Sequence, residues 1–371
     1  MSAVPAEKEV RFDTIEAAID AIKRGEMVVV VDDDDRENEG DLIMAASKAT
    51  PEAVAFMIRH TSGILCAPLF EDHAQRLNLD PMVARNDAPM STAFTVSIDY
   101  KHGLTTGISA EERATTVQAL TNSNVSAQDF VRPGHIFPLV ARQGGTLVRS
   151  GHTEAGVDLS VLADLPPVSL LAELVNDDGT VQRLPQLLEF AEEHKLLIIT
   201  IADLIAYRQQ REQLVERTHE FQVKTAIGEA KGYAYRTMFE DAEHVALVFG
   251  NISAMNSVPV RIHREKLVDD VFGPQTDDHN QNLLNAALER IDSLGGGVLI
   301  YLRTGFVGVP HDTIENQSKE DERRNQWLEV GVGAQIARDI GLSHIKLIAG
   351  REVEYVGVTG FGLTLDSTEI L

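Results

Sequence analysis

The chain has 371 residues, a formal net charge of −24 and a pI of about 4.8. Its length predicts two domains, because a single hydrophobic core rarely extends over so many residues. The negative charge excludes nucleic acid and anionic membranes as partners, since both require clustered lysine and arginine. A small anionic substrate remains compatible, because a local arginine or a divalent cation is enough to hold it.

Targeting signals and cysteine content further restrict the class of protein that the sequence can encode. The N-terminal residues lack the apolar core of a signal peptide, and no run of eighteen apolar residues occurs, so a cytoplasmic protein without membrane spans is predicted. Cys66 is the only cysteine, which excludes an internal disulfide and a cysteine-rich zinc site. Its apolar neighbours predict that it is buried.

The first half alternates helical and strand-like patterns. A helix is predicted over 13–25, with Asp13 as its cap, followed by a buried strand over 27–31. The apolar periodicity then predicts helices over 51–60, 111–122 and 187–194 and strands over 94–98, 170–175 and 196–201. This order indicates a mixed α/β domain rather than a strict βαβ repeat.

The second half restarts the same alternation after a charged segment over 204–219, which is predicted to be helical. The domain junction is placed near Arg211, which gives domains over 1–211 and 212–371. The elements predicted beyond it are strands over 245–249, 258–262, 298–302 and 344–349 and helices over 283–294 and 334–340.

The segment over 32–41, DDDDRENEGD, carries seven carboxylates directly after a predicted buried strand. Such crowding is unfavourable unless a cation lies among the charges, and oxygen-rich clusters suit Mg²⁺ or Mn²⁺. Ligands of open α/β sheets also tend to bind at the carboxyl ends of strands. A solvated acidic loop is the alternative, and this segment alone leaves both interpretations open.

Two further segments carry residue types that suit a phosphate and a metal. In RSGHT (149–153), Arg149 and Thr153 are suited to hold a phosphate and His152 to face a metal. A turn of proline and glycine presents His135. Glu173 lies in a predicted apolar strand, where a carboxylate needs a partner or a function.

Seven motifs in the first 210 residues then carry a family resemblance. They are, in chain order, DRENEGDLI, RHTSGILC, STAFTVSID, GLTTGISAEERATT, RPGHIFPL, RSGHTEAGVDL and ELVNDDGT. Together they resemble 3,4-dihydroxy-2-butanone 4-phosphate synthase. The resemblance implies an α/β/α sandwich, a homodimer, and conversion of ribulose 5-phosphate into 3,4-dihydroxy-2-butanone 4-phosphate and formate for riboflavin biosynthesis. It also implies two Mg²⁺ or Mn²⁺ ions between substrate and protein.

The roles that the resemblance implies fall on matching positions. Glu37 and His152 correspond to the metal ligands, and His135 and Glu173 to positions essential for catalysis. The residues that correspond to substrate contacts are Arg36, Glu37, Asp41, Arg149, Ser150, Gly151, His152, Thr153 and Glu173. The loop that begins at Asp33 is expected to close over the substrate.

The second half resembles GTP cyclohydrolase II through EHVALVFGNI, VPVRIH, DDVFGP, GGGVLIYLR and VGVGAQIARDIGLSHIKLI, which implies a second α/β domain of that type. The three zinc-binding cysteines of that family are replaced here by Lys266, Asp277 and His279. A glycine-rich stretch of the family is also altered, over Thr304–Gly308. We therefore expect no zinc and no GTP chemistry. A bifunctional enzyme that still opens GTP, or a regulatory or binding module, are the alternatives.

Overall fold

A computed structural model describes residues 11–33, 36–237, 242–272, 282–303, 331–350 and 362–371. The chain divides into two compact units, Met1–Ile205 and Ala206–Leu371. The division falls inside the helix Ile201–Arg211, a few residues before the junction expected from sequence. Among the described residues, no helix is both long and apolar enough to cross a membrane.

The first unit is built on a mixed sheet that has seven strands within the described residues. In chain order these are β1 (Val28–Val31), β2 (Gly40–Ala45), β3 (Cys66–Phe70), β4 (Ile98–Tyr100), β5 (Phe130–Ala141), β6 (Ser169–Glu173) and β7 (Leu197–Thr200). Their order across the sheet is β4-β5-β3-β6-β2-β1-β7. The pairs β1–β7 and β3–β5 are parallel, whereas β1–β2, β2–β6 and β4–β5 are antiparallel.

Helices cover this sheet. In chain order they are α1 (Ile15–Arg24), α2 (Pro51–His60), α3 (Glu71–Arg76), α4 (Ala110–Leu120), α5 (His152–Leu162), α6 (Leu184–His194) and α7 (Ile201–Arg211). All residues of β1 and β2 are buried. Since successive strand residues point to opposite faces, both faces of the central strands must be covered. The first unit is thus a helix–sheet–helix sandwich, with α5 packed on β2 and β6.

The second unit contains its own mixed sheet, also seven-stranded within the part of the chain that is described. Its strands are β8 (Val215–Thr225), β9 (Gly228–Thr237), β10 (His244–Phe249), β11 (Val258–Arg264), β12 (Gly297–Leu302), β13 (His344–Ala349) and β14 (Thr364–Ile370). They take the order β14-β13-β11-β12-β10-β9-β8, and the described helices are α8 (Leu267–Phe272), α9 (Leu283–Ser293) and one over 331–339. The mixed α/β class predicted for both halves is confirmed.

Some predicted boundaries were wrong for local reasons. Thr14, not Asp13, caps α1, because the Thr14 hydroxyl accepts the backbone N–H of Ala17. Asp13 is engaged elsewhere, since its carboxylate accepts the N–H of Ile198 on β7 at 2.9 Å. The strand predicted over 94–98 reduces to isolated bridges, and the pairing of β4 with β5 starts only at Ile98, with a register shift directly after it.

The charged segment over 204–219 is not one helix. Helix α7 ends at Arg211, and β8 begins at Val215 and pairs along its length with β9. Most side chains of β8 are exposed or half-buried, so its charged residues suited a helix and a solvated strand equally well. Pairing with β9, which a periodicity argument cannot see, decides the outcome.

The packing of α5 on β6 can be tested at Gly156. Replacing a mid-helix glycine by alanine usually stabilises a helix by about 1 kcal/mol. Here an added Cβ would lie 2.3 Å from Ser169 Oγ and 3.1 Å from Ser169 Cβ. We expect Gly156→Ala to lower the free energy of unfolding by about 1–3 kcal/mol, measured by urea denaturation. In a Ser169→Gly background the same change should be neutral or stabilising, and equal losses in both backgrounds would contradict this packing.

Candidate active site

The acidic segment forms the turn between β1 and β2, and Asp32 organises its base. Asp32 is buried. Its Oδ1 accepts the backbone N–H of Glu39 at 2.8 Å, and its Oδ2 accepts that of Glu37 at 3.1 Å. Arg36 donates from the same Nη1 to Asp32, at 2.8 Å, and to the Glu37 carboxylate. Asp34 and Asp35 lie outside the described residues.

His152 brings α5 to this turn. It is the first residue of the helix and is buried, with Nε2 3.1 Å from the carbonyl oxygen of Val30 on β1. One candidate ligand atom from each of Asp32, Glu37 and His152 lies within 4.8 Å of the others. Burial lowers the pKa of His152, although the Asp32 carboxylate opposes this. A neutral imidazole beside two carboxylates is a donor set that suits a divalent cation.

More carboxylates line the next strands. Asp41 on β2 lies directly opposite Glu173 on β6. Asp41 is 3% exposed, and its Oδ1 accepts no hydrogen bond among the described residues. Burial, with the charges of Glu173 and Glu37, raises the pKa of Asp41 well above its usual value. Glu173 is anchored by Ser62, whose hydroxyl donates to its Oε2 at 2.7 Å. This crowding of acids is the arrangement that a bound cation relieves.

The segment that precedes and opens α5 presents groups that suit an anion. Gly151 caps the helix without a side-chain hydrogen bond, so no capping side chain occupies the positive end of the helix, which lies beside half-buried Ser150 and buried Thr153. Arg149 folds over this end and donates from Nη1 to Glu154 Oε2 at 2.7 Å. A Cβ on Gly151 would lie 2.4 Å from Arg149 Nη1, so a larger residue there would require the guanidinium to move.

His135 lies on β5, two strands away from Glu173. Register connects Phe137 to Cys66 on β3, and Cys66 to Leu171 on β6. His135 lies two residues before Phe137 on β5, and Glu173 lies two residues after Leu171 on β6. Because β5 and β6 run in opposite directions, both residues occupy the same end of the sheet. With a spacing of about 4.8 Å between strands, their backbones are about 10 Å apart. The sheet thus brings the two predicted catalytic positions to one edge, next to Asp41 and the acidic turn.

Several polar residues that hold the site residues were given no individual role in the sequence analysis: Asp32, Ser62, Asp99, Glu154 and Arg183. Arg183 Nη1, for example, donates to the carbonyl oxygens of Glu37 and Asn38 at 2.6 Å each. Asp99 lies in a short strand, so the criterion that selected Glu173, a carboxylate on a strand, would also have found it. No comparable signal marks Ser62 or Arg183.

In the second unit, the backbone of Lys266 belongs to a group of structural hydrogen bonds. Its backbone N–H donates to Asp270 Oδ2 at 2.9 Å, while the same carboxylate binds His263 Nε2 at 2.9 Å and Tyr301 OH at 2.7 Å. Among the described residues, Asp32, Glu37 and His152 of the first unit are the only group of three side chains placed to hold a metal ion. Asp277, His279 and the stretch over 304–308 lie outside the described residues.

Cys66 is buried in the first unit, as predicted. Burial, followed by the charges of Glu173 and Asp41, raises the pKa of its thiol. It is therefore protonated at neutral pH and is no substitute for the cysteines missing from the second unit.

Two family models match the chain. That of 3,4-dihydroxy-2-butanone 4-phosphate synthase matches residues 16–207, and that of GTP cyclohydrolase II matches residues 216–369. The chain is 46% identical over 370 residues to the bifunctional riboflavin biosynthesis protein RIBA 1 of Arabidopsis thaliana, covering 95% of this chain and 68% of the relative. It is also 45% identical over 364 residues to the monofunctional riboflavin biosynthesis protein RIBA 2 of the same plant, covering 95% and 76%.

Solved structures agree with both domains. RibBX of A. baumannii, a two-domain 3,4-dihydroxy-2-butanone 4-phosphate synthase, superposes with a TM-score of 0.80 at 37% identity, covering 96% of this chain and 99% of that one. A 3,4-dihydroxy-2-butanone 4-phosphate synthase in complex with two magnesium ions covers 54% of this chain and 98% of its own, with a TM-score of 0.53 at 43% identity. The chain is thus an enzyme that belongs to the 3,4-dihydroxy-2-butanone 4-phosphate synthase family, with a C-terminal domain of the GTP cyclohydrolase II family.

Proposed function

We propose that the first unit converts ribulose 5-phosphate into 3,4-dihydroxy-2-butanone 4-phosphate and formate, with two Mg²⁺ or Mn²⁺ ions bound between substrate and protein. The observation that carries this proposal is the cluster of Asp32, Glu37 and His152 beside the unpartnered oxygen of Asp41. A related synthase of known structure holds two magnesium ions. By the same resemblance we propose that the chain forms a homodimer, which size-exclusion chromatography with light scattering would test.

The residues present fit a hard divalent cation. Glu37 and His152 are the proposed ligands, with Asp32 fixing the turn that presents Glu37. A hydrogen bond from His152 Nε2 to the Val30 carbonyl leaves the ring's lone pair on Nδ1, and such a bond is typical of metal-binding histidines. A bound Mg²⁺ or Mn²⁺ supplies the positive charge that stabilises an enediolate formed next to the ketone.

The substrate phosphate is proposed to bind at the start of α5. Arg149, the backbone around Ser150 and Gly151, and the Thr153 hydroxyl surround the positive end of that helix. Since Glu154 holds Arg149 from one side, the guanidinium is oriented before the anion arrives.

We assign proton transfer to side chains at one edge of the sheet in the first unit. Glu173 and His135 are the proposed catalytic groups, and Asp41 contacts the substrate between them and the acidic turn. A carboxylate or an imidazole can move protons between carbon and oxygen in such a reaction. Arg36 and the turn that begins at Asp33 lie beside the substrate, and closure of this turn would exclude water from reactive diketone intermediates.

Loss of a metal ligand should abolish turnover. We expect Glu37→Gln and His152→Ala to lower formate release from ribulose 5-phosphate at saturating Mg²⁺ by at least about 100-fold. Mn²⁺ binding, followed by electron paramagnetic resonance, should weaken in parallel, while circular dichroism stays unchanged. Glu52→Gln, an exposed position on α2, is the matched control and should keep wild-type activity. A Glu37→Gln protein with most of its activity would contradict the assignment.

Arg149 should act mainly on substrate binding. Lysine cannot contact Glu154 and also offer a planar fork to a phosphate. We expect Arg149→Lys to raise KM for ribulose 5-phosphate about 10-fold or more, with kcat changed less, because the phosphate is bound similarly before and in the transition state. Arg142→Lys, whose side chain is exposed, should leave both constants unchanged. An unaltered KM in Arg149→Lys would remove this residue from the phosphate site.

For the second unit we propose a retained fold without GTP chemistry. Catalytic zinc needs three protein ligands, and Lys266 places a cation at one of the three positions. The only cysteine of the chain is Cys66, which lies in the first unit and is buried. Relatives of similar identity include a bifunctional and a monofunctional protein, so relatedness alone does not decide the question.

Metal analysis and a GTP assay test this proposal. The purified chain should contain less than about 0.1 zinc per molecule, since the site lacks its ligands, and should release no formate from GTP. Stoichiometric zinc that is lost in Asp277→Ala or His279→Ala, together with formate release from GTP, would instead establish a bifunctional enzyme. Absence of turnover with saturable nucleotide binding would identify a binding module.

A further inference from the structure

We propose that Asp99 is a positioning residue that sets the tautomer and direction of the His135 ring, so that Nε2 faces the reacting edge of the sheet as a proton acceptor. The catalytic consequence rests on the proposed function of His135. The geometry of the pair is independent of that function.

Both oxygens of Asp99 are directed at His135. Oδ1 accepts the backbone N–H of His135 at 2.8 Å, and Oδ2 lies 2.7 Å from Nδ1. The Asp99 side chain is 4% exposed, whereas that of His135 is 39% exposed. A carboxylate only accepts hydrogen bonds, so Nδ1 carries the proton and, in the neutral ring, Nε2 keeps the lone pair. The carboxylate of the pair is thus buried, while the imidazole remains partly exposed.

The surroundings hold this pair rigidly. A Cβ on Gly107, where φ is +82°, would lie 2.1 Å from Asp99 Oδ2 and 2.8 Å from His135 Nδ1, so the Gly107 backbone packs directly against the hydrogen-bonded pair. A Cβ on Gly134 would lie 2.0 Å from the carbonyl carbon of Ile98, so the strands that carry the two residues touch at this point. Buried Arg113 on α4 supplies a nearby positive charge for Asp99.

A second histidine–aspartate pair in the same region offers a matched control. His102 Nε2 lies 2.8 Å from Asp129 Oδ1, a distance close to that of the first pair. His102 is 61% exposed, however, and Asp129 is also engaged by Ser126. The same Asp→Asn change can therefore be made in two pairs, of which only one is covered and lies on the proposed active edge.

The tautomer can be read directly by ¹⁵N nuclear magnetic resonance of histidine-labelled full-length protein, with the His135 signals assigned from His135→Gln. The wild type should show His135 protonated at Nδ1. In Asp99→Asn the amide can donate to Nδ1, so the proton should move to Nε2. Asp129→Asn should leave the His135 signals unchanged. Protonation of wild-type His135 at Nε2 would overturn the proposal without any variant.

Kinetics supply the second readout. Asp99→Asn should lower kcat for formate release from ribulose 5-phosphate by about 10²–10⁴-fold, with KM changed less than about 3-fold because no substrate contact is removed. Asp129→Asn should retain wild-type kcat. A changed tautomer with an unchanged kcat would overturn the positioning role, as would equal losses in both variants. A wild-type protein that releases no formate would refute the proposed function and leave the tautomer measurement valid.

Gly107→Ala provides an independent variant if Asp99→Asn does not fold. Its Cβ would enter the space of the hydrogen bond itself, so it should disturb the His135 tautomer and lower kcat while Asp99 is still present. Gly103→Ala is the matched control, because Gly103 has a similar φ of +80° but open space around an added Cβ. Equal kcat values in these two variants would contradict the proposal.

Discussion

The buried carboxylate of Asp32 is the contact on which the active-site region depends. A carboxylate removed from water is costly unless its oxygens are satisfied, and Asp32 meets that requirement with the backbone N–H groups of Glu37 and Glu39 and with Arg36. Those bonds hold Arg36, Glu37 and Glu39 in place within an intrinsically repulsive acidic segment. The turn directs Glu37 toward His152, and Arg183 secures it from the outside through the Glu37 and Asn38 carbonyls.

The remaining carboxylates of this region lie in surroundings that disfavour their charged form. Burial raises the pKa of both Asp41 and Glu39, and their acidic neighbours raise it further. A carboxylate in such an environment is stabilised by any group that brings positive charge, and the proposed cation binding and proton exchange both rest on this property. The opposite end of the sheet edge is organised differently. There Asp99 is covered by backbone and directs a single exposed histidine.

In the second unit, the hydrogen bonds around Lys266 do not depend on its side chain. The Asp270 carboxylate makes three hydrogen bonds that connect neighbouring elements. They are to His263 near the end of β11, to the backbone N–H of Lys266 at the start of α8, and to the hydroxyl of Tyr301 on β12. These bonds involve the backbone of Lys266 and not its side chain. A change of the side chain at position 266 therefore leaves these hydrogen bonds in place, because they are made by other groups.

The sequence by itself determined the elements whose signals are local and the side chains whose chemistry is explicit. Helix α2 was predicted at its observed bounds because its capping threonine, N-terminal proline and apolar face all agree, and β13 because it is an isolated apolar run. Strands β2 and β5 were missed, since one follows the acidic turn and the other contains prolines and a glycine.

Only the tertiary structure decided which of those side chains meet. Glu37 and His152 are 115 positions apart, and their approach follows from the β1–β2 pairing and the packing of α5 on the sheet. Asp99 reaches His135 because β4 pairs with β5 and the register shifts between Ile98, which lies opposite Ile136, and Asp99, which lies opposite Val131. Cross-strand register depends on contacts between distant segments, and a local pattern of residues carries no information about it.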